Sequence, residues 1–152
     1  MKPITKILVP VDFSDYSREV VTFAADLSRR YEAALHLLHV HQPMTSSLPD
    51  NSVLLTAAQL SRIHETLTQL LDDLKQTAQA TLSTPVESTF LEGFAANEIV
   101  RFAKDSACDL IVMGTHGRAG FKHWLLGSVA EYVVRTAPCP VLTVRPRQVA
   151  AQ

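Results

Sequence analysis

Short apolar runs alternate with amphipathic segments along the whole chain, and this alternation limits the possible fold more than any other feature. Residues 6–11 and 109–113 are almost continuously apolar, as are the central strands of a parallel sheet, which are buried on both faces. Three further runs are predicted strands: residues 34–40, 85–91 and 141–144. Strands that alternate with helices form one open parallel sheet with helices on both faces, so we predict an α/β fold of that kind.

Four amphipathic helices are predicted between these strands. The first is capped by Ser14, and the second runs from about Thr56 to about Ala80. The third covers residues 98–104, and the last begins at Ser128. The positions that the helical spacing turns toward the core are Val20, Ala24, Leu27 and Tyr31 in the first helix, Leu60, Ile63, Leu67, Leu70, Leu74 and Ala78 in the second, and Ile99, Val100 and Ala103 in the third.

The order of the five strands is left open by this pattern. Right-handed crossovers leave two orders, the flavodoxin-like 2-1-3-4-5 and the Rossmann-like 3-2-1-4-5. In either order a ligand binds beyond the carboxyl ends of the strands, at the point where the strand order reverses. In the second order this point lies between the first and fourth strands, which end at Asp12 and at a glycine-rich segment, residues 114–127.

Composition and charge exclude several classes of protein. The 152 residues suit one domain spanning 1–152, and a net charge of −1 gives no basic surface for nucleic acid or for a membrane. No apolar run approaches the roughly 20 residues of a membrane span. The first residues do not resemble a signal peptide, and Cys108 and Cys139 are too few for a structural zinc site and are expected to be reduced thiols. We therefore expect a cytoplasmic protein.

The glycine-rich segment carries the chemistry that the sequence predicts. Gly114 and Gly117 directly follow a buried strand, and without side chains their backbone N–H groups can approach an anion closely. Gly127 and Ser128 open the last helix, where the helix dipole favours phosphate. A second interpretation stays open: Ser128 and Glu131 form a capping box, and Gly127 only permits a tight turn into the helix.

Asp12 also has two possible roles. At the end of the first strand its carboxylate can accept hydrogen bonds from ribose hydroxyls or lie near a metal-bound phosphate. It can equally cap the helix that begins near Ser14.

The chain resembles the universal stress protein family, a group of Rossmann-like α/β proteins. The family's nucleotide-binding pattern is glycine, two residues, glycine, nine residues, glycine, and then serine or threonine. Gly114, Gly117, Gly127 and Ser128 match it completely. The flanking segments 7–14, 109–118, 126–129 and 139–142 also match, and the resemblance extends from about residue 6 to about residue 145.

The resemblance implies the strand order 3-2-1-4-5 and a site for ATP, or for AMP or ADP, with Mg²⁺ or Mn²⁺ bound through the phosphates. The residues that it places at adenine and ribose are Pro10, Val11, Asp12 and Val40. Those that it places at ribose and phosphates are Met113, Gly114, Gly117, Arg118, Gly127, Ser128 and Val129. His116 lies between two of these glycines and is a further candidate for phosphate or water.

The function implied by the resemblance is that of a nucleotide-dependent regulator or sensor in a stress response. Members of the family commonly form homodimers through the last strand, here Val141 to Val144, and the partner protein of such a regulator is unknown. The alternatives are a dimeric scaffold without nucleotide binding, or a slow ATPase that uses His116 or Arg118. The sequence has no His-Glu-x-x-His site, no Ser-His-Asp arrangement and no His-x-Gly-His segment, so we expect any turnover to be slow.

Overall fold

The structure of this chain is a computed structural model that describes residues 2–42, 55–115 and 126–145. Three of the predicted site residues, His116, Gly117 and Arg118, lie outside the described residues.

One five-stranded parallel sheet forms the centre of the molecule. The strands are β1 (Lys6–Pro10), β2 (Ala34–His41), β3 (Val86–Glu92), β4 (Leu110–Gly114) and β5 (Val141–Val144). The helices are α1 (Ser17–Tyr31), α2 (Ala57–Gln79), α3 (Ala95–Asp105) and α4 (Ser128–Thr136). The strand order is β3-β2-β1-β4-β5 with every neighbouring pair parallel, which confirms the predicted fold and selects the second of the two orders.

Two apolar cores lie on opposite faces of the sheet, because alternate residues of each strand point to opposite sides. On one face, Ile7 and Val112 pack with α1 and α2, in what we call the α1/α2 core. On the other face, Leu8 and Ile111 pack with α3 and α4, in the α3/α4 core. These four side chains have no exposed surface, which confirms the prediction that β1 and β4 are buried on both faces.

The first helix begins later than predicted. Helix α1 starts at Ser17, and the Ser17 amide donates to the Ser14 carbonyl oxygen in the turn that precedes the helix. Phe13 has a left-handed φ of 59°, so the chain turns before it enters the helix. The prediction that Ser14 caps α1 is therefore wrong, since the position before the helix is Tyr16.

The second helix confirms the predicted start near Thr56 but not the whole predicted apolar stripe. Thr56 and Gln59 form a capping box at its start, because each side chain bonds the other residue's backbone N–H. The side chains of α2 that are buried are Leu67, Leu71, Leu74 and Ala78. Leu60 and Leu70 are exposed, which corrects the prediction, because the helix turns Leu71 rather than Leu70 toward the sheet and packs along its carboxyl half.

Two smaller corrections concern α1 and α3. Tyr31 is exposed, and the buried positions of α1 continue through Ser28 instead. Helix α3 begins at Ala95, three residues before the predicted start, and the residue before it, Phe94, has no capping side chain that the sequence could reveal.

Candidate functional site

The carboxyl ends of the two neighbouring strands β1 and β4 lie side by side in the middle of the sheet. We call the side that is formed by the carboxyl ends of the strands the edge of the sheet. The two strands pair in parallel, with Ile7 opposite Leu110 and Leu8 opposite Ile111. The chain leaves β1 toward α1 and β2 on one side, whereas it leaves β4 toward α4 and β5 on the other. The strand order therefore reverses between β1 and β4, which is where open α/β sheets bind ligands.

Asp12 lies at this point and shapes the turn after β1. Its Oδ1 atom accepts a hydrogen bond from the Ser14 amide at 3.0 Å and another from the Ser17 hydroxyl at 3.1 Å. The carboxylate thus stabilises the turn that precedes α1 but does not cap the helix, whose cap position is Tyr16, so the capping interpretation of Asp12 is wrong. The same contacts hold the half-buried side chain at the edge of the sheet where a ligand would bind.

Some of the predicted site residues have buried side chains, so that only their backbone lies at the carboxyl ends of the strands. The Val11 side chain is buried in the α1/α2 core, and the Met113 side chain is buried in the α3/α4 core. Val40, near the end of β2, is half-buried against the α3/α4 core. Pro10 ends β1 and Gly114 ends β4, and both are partly accessible.

The start of α4 is tied directly to the end of β4. The Gly127 amide donates to the Thr115 carbonyl oxygen at 2.8 Å, and the Thr115 amide donates to the Val144 carbonyl oxygen at 3.1 Å. Thr115 is buried, so this junction lies inside the molecule and not on a loose loop. The role of Thr115 has no signal in the sequence, because its hydrogen-bond partners, Gly127 and Val144, are distant along the chain.

Gly127 is the cap position of α4, and Ser128 is the first helical residue. The Gly127 carbonyl oxygen accepts the first intrahelical bond, from the Glu131 amide at 2.8 Å. The capping-box interpretation of Ser128 and Glu131 is therefore wrong, since a capping box requires the serine at the cap position itself.

The backbone of Gly127 does not require glycine. Its φ of −60° and ψ of 151° are extended values that every residue type adopts. A tight turn therefore does not explain this glycine. Without a capping side chain, the N–H groups of the first turn of α4 have no acceptor within the helix or from the cap residue. This arrangement is suited to binding an anion.

A buried histidine that sequence reasoning missed also touches the site. The His39 ring on β2 is buried, and its Nδ1 atom donates to the Val11 carbonyl oxygen at 2.8 Å. Within the described ranges, by contrast, no group of three or more histidine, cysteine, aspartate or glutamate side chains is arranged to hold a metal ion.

The model of the universal stress protein family matches residues 3–145. The chain belongs to the universal stress protein family. A universal stress protein of Methanocaldococcus jannaschii, MJ0531, is 37% identical over 142 residues, which are 92% of this chain and 81% of that protein. The universal stress protein YxiE of Bacillus subtilis is 32% identical over 146 residues, covering 92% of this chain and 98% of that protein.

Solved structures of the family have the same fold. The structure of the hypothetical protein MJ0577 is 26% identical, has a TM-score of 0.83, and covers 97% of this chain and 99% of that one. A universal stress protein of Archaeoglobus fulgidus was solved with dAMP (23% identity, TM-score 0.65, 93% of this chain and 98% of that one). An Arabidopsis thaliana family member was solved with AMP (19% identity, TM-score 0.67, 95% and 93%), and another universal stress protein with cAMP (23% identity, TM-score 0.72, 94% and 98%).

The described part of this universal stress protein thus brings most of the predicted nucleotide residues to one edge of the sheet. These residues are Pro10, Val11, Asp12, Val40, Met113, Gly114, Gly127, Ser128 and Val129. Among the residues that the structure describes, no helix is long and apolar enough to cross a membrane.

Proposed function

We propose that this protein binds ATP, or the related AMP or ADP, in the crevice between β1 and β4 and acts as a nucleotide-dependent regulator. The observation that carries the proposal is the start of α4, where Gly127 offers no capping side chain and the N–H groups of the first turn have no acceptor from the helix or the cap residue. The nucleotides in the solved structures of other family members support the same conclusion.

The proposed roles follow the placement of each residue. Asp12 accepts hydrogen bonds from the ribose hydroxyls, and the half-buried Val40 and Pro10 contact the base. The backbone N–H groups of Ser128 and Val129, at the first turn of α4, bind phosphate oxygens. The roles proposed for Met113, Gly114, His116, Gly117 and Arg118, at ribose and phosphates, rest on the family pattern.

A divalent cation, Mg²⁺ or Mn²⁺, would accompany the phosphates. Among the described residues no group of three or more histidine, cysteine, aspartate or glutamate side chains could hold the ion, which fits an ion held mainly by phosphate oxygens and water. Such a binding mode is usual for magnesium at nucleotide sites. The ion would neutralise phosphate charge, while the chain supplies N–H groups.

The test of nucleotide binding combines mass spectrometry with calorimetry. Small molecules released by denaturing the purified protein are identified first, and the protein is then titrated with ATP, GTP and inorganic triphosphate, each with magnesium. We expect one ATP per chain with an affinity near the micromolar range, about −8 kcal/mol. GTP and triphosphate should bind at least about tenfold more weakly, because neither carries the adenine that we propose contacts Val40 and Pro10. No released nucleotide and no heat with ATP would leave a scaffold without nucleotide as the function.

We also propose a homodimer that forms through β5, Val141–Val144. Within residues 2–42, 55–115 and 126–145, β5 is an outermost strand of the sheet and pairs with β4 alone, so one row of its backbone N–H and C=O groups faces outward. Leu142 on this strand is an exposed apolar side chain. An apolar edge strand of this kind is suited to pairing with a second copy.

The dimer proposal is tested by sedimentation velocity over a range of protein concentrations. We expect the wild-type chain to sediment as a dimer and Leu142→Lys to shift the protein toward monomer by placing a charge on the strand. Phe23→Lys is the matched control, because Phe23 is similarly exposed but lies on α1. A wild-type protein that is monomeric at every concentration would contradict the proposal.

The compartment proposed is the cytoplasm, and the regulated partner is a protein still to be identified. Cys108 and Cys139 are both free thiols, as expected in a reducing compartment.

A further inference from the structure

We propose that His39 is a positioning residue that sets the direction of Asp12 toward the ribose of a bound nucleotide. The inference rests on the proposed ATP function and adds to it a residue that lies under the site. It is carried by the contacts that His39 makes with the residues on both sides of Asp12.

The first contact fixes the peptide that precedes Asp12. The His39 Nδ1 atom lies 2.8 Å from the Val11 carbonyl oxygen, inside the protein. A carbonyl oxygen can only accept, so Nδ1 carries the hydrogen. This carbonyl belongs to the peptide group that joins Val11 to Asp12. The bond from His39 therefore fixes the orientation of the peptide plane that precedes Asp12.

The second contact fixes the residue that follows Asp12. The rings of His39 and Phe13 lie 4.3 Å apart between centroids, tilted by 35°. Phe13 has a φ of 59°, an uncommon left-handed conformation for a bulky residue. Such a conformation persists where the surroundings determine it, and the His39 ring supplies that contact.

His39 is itself held by a layer of aromatic rings. Phe90 is its register partner on β3, with ring centroids 5.5 Å apart. The His64 ring of α2 also packs on Phe90 in an edge-on arrangement, with ring centroids 4.6 Å apart. The His39 ring is therefore held in place by packing on β3 and, through Phe90, on α2. This packing keeps the two contacts of His39 with Val11 and Phe13 in position.

The two contacts of His39, with the Val11 carbonyl and the Phe13 ring, determine the direction of the Asp12 carboxylate. The Asp12 Oδ1 atom accepts from the Ser14 amide and the Ser17 hydroxyl, so it must reach the first residues of α1. His39 fixes both the peptide before Asp12 and the residue after it. The Asp12 carboxylate is therefore held in a single orientation at the carboxyl ends of the strands. Release of either contact would change the angle at which Asp12 meets a ribose.

The same strand offers a matched control in His36. Both histidines are buried, but His36 bonds the Glu87 carboxylate and the Thr89 hydroxyl. Its ring lies 4.7 Å from Phe102 of α3, on the face of the sheet opposite His39. Burial lowers the pKa of His36, so its ring is neutral near pH 7. Replacing it removes a buried histidine without touching the turn that carries Asp12.

The experiment compares ATP with 2′,3′-dideoxy-ATP, each with magnesium, by calorimetry. Wild type should bind ATP more tightly, because Asp12 bonds the ribose hydroxyls. His39→Phe keeps a ring but loses the donor, and we expect ATP affinity to fall about tenfold with little change for the dideoxy nucleotide. His39→Asn keeps an N–H donor at the same bonded distance from Cβ and should restore part of the difference. His36→Phe should leave the ratio of the two affinities unchanged.

An unchanged ratio in His39→Phe would overturn the inference, whether both affinities are retained or both weaken equally; equal weakening indicates a merely structural role. If His39→Phe does not fold, Phe13→Gly decides, because glycine adopts the left-handed turn freely but loses the ring contact. An unchanged ratio in that variant overturns the inference, and a reduced ratio supports it. Absence of ATP binding by wild type would overturn the proposed function as well, so the two failures are distinguishable.

Discussion

Replacement of Gly127 by aspartate is expected to make the protein more stable and to abolish its binding of ATP. Aspartate is a favourable cap residue, and the extended backbone of Gly127 accommodates it without strain. The free energy of unfolding should rise by about 0.5 kcal/mol, from the new cap and the favourable charge at the helix N-terminus. A carboxylate bonded to the N–H groups of the first turn occupies the place of a phosphate and repels it. ATP affinity should fall by at least about 100-fold, which is about 2.7 kcal/mol.

A rise in the free energy of unfolding together with a fall in ATP affinity would show that Gly127→Asp weakens binding without damaging the fold. Urea denaturation gives the free energy of unfolding, and calorimetry with ATP and magnesium gives the affinity. Phe94→Asp is the matched control, since Phe94 is also an extended cap residue without a side-chain cap, at the start of α3. It should stabilise the protein without a comparable loss of affinity. Full ATP binding by the Gly127→Asp protein would refute the proposed phosphate site.

Replacement of Asp109 by asparagine is expected to have the converse effect, a large loss of stability with unchanged ATP affinity. The Asp109 carboxylate accepts hydrogen bonds from the Thr5 amide at 3.0 Å, the Thr5 hydroxyl at 2.7 Å and the Lys6 amide at 3.1 Å. It also forms an ion pair with Lys2 at 2.7 Å, and its side chain is 4% exposed. An amide cannot accept all of these bonds, so the free energy of unfolding should fall by about 2–3 kcal/mol.

This stability has a defined pH dependence. The bonds from Lys2 and Thr5 hold the pKa of Asp109 well below its ordinary value. The carboxylate therefore contributes stability above the pKa of the unfolded chain, about 3.9, and the contribution is lost as the pH falls below that value. The difference between wild type and Asp109→Asn should be constant from pH 7 to pH 5 and should shrink toward pH 2.

The measurement is urea denaturation across this pH range, with Asp105→Asn as control. Asp105 is an exposed carboxylate paired with Arg101 at 4.0 Å, so its loss should cost well below 1 kcal/mol. ATP affinity should be unaltered in both variants, because Asp109 precedes β4 at the amino edge of the sheet while the proposed site follows Gly114. Equal stabilities of the two variants would contradict the account of Asp109.

The fold was predictable because its signals are local. Continuous apolar runs identified β1 and β4, and Thr56 identified the start of α2. The starts of α1 and α3 were misplaced because their cap positions, Tyr16 and Phe94, are not residues that normally cap helices.

The site was predictable only in part. Gly127 was singled out from its place in the sequence, but its meaning depended on a backbone conformation that only the structure gives. His39 reads as one more residue of an apolar strand, and its partner, Val11, is 28 residues away. Contacts between residues this far apart leave no local pattern in the sequence. Sequence reasoning therefore could not predict that His39 bonds the peptide that precedes Asp12.

The pairing of β1 with β4 has a consequence for how the protein is made. Leu8 lies opposite Ile111, and Thr5 bonds Asp109 across 104 positions, so both halves of the crevice come from distant parts of the chain. Contacts of such long range form late and slowly, since a long loop must close first. While the ribosome synthesises the first hundred residues, β1 has no neighbour on its β4 side. The nucleotide site that we propose would therefore form only after β4 and the start of α4 have been synthesised.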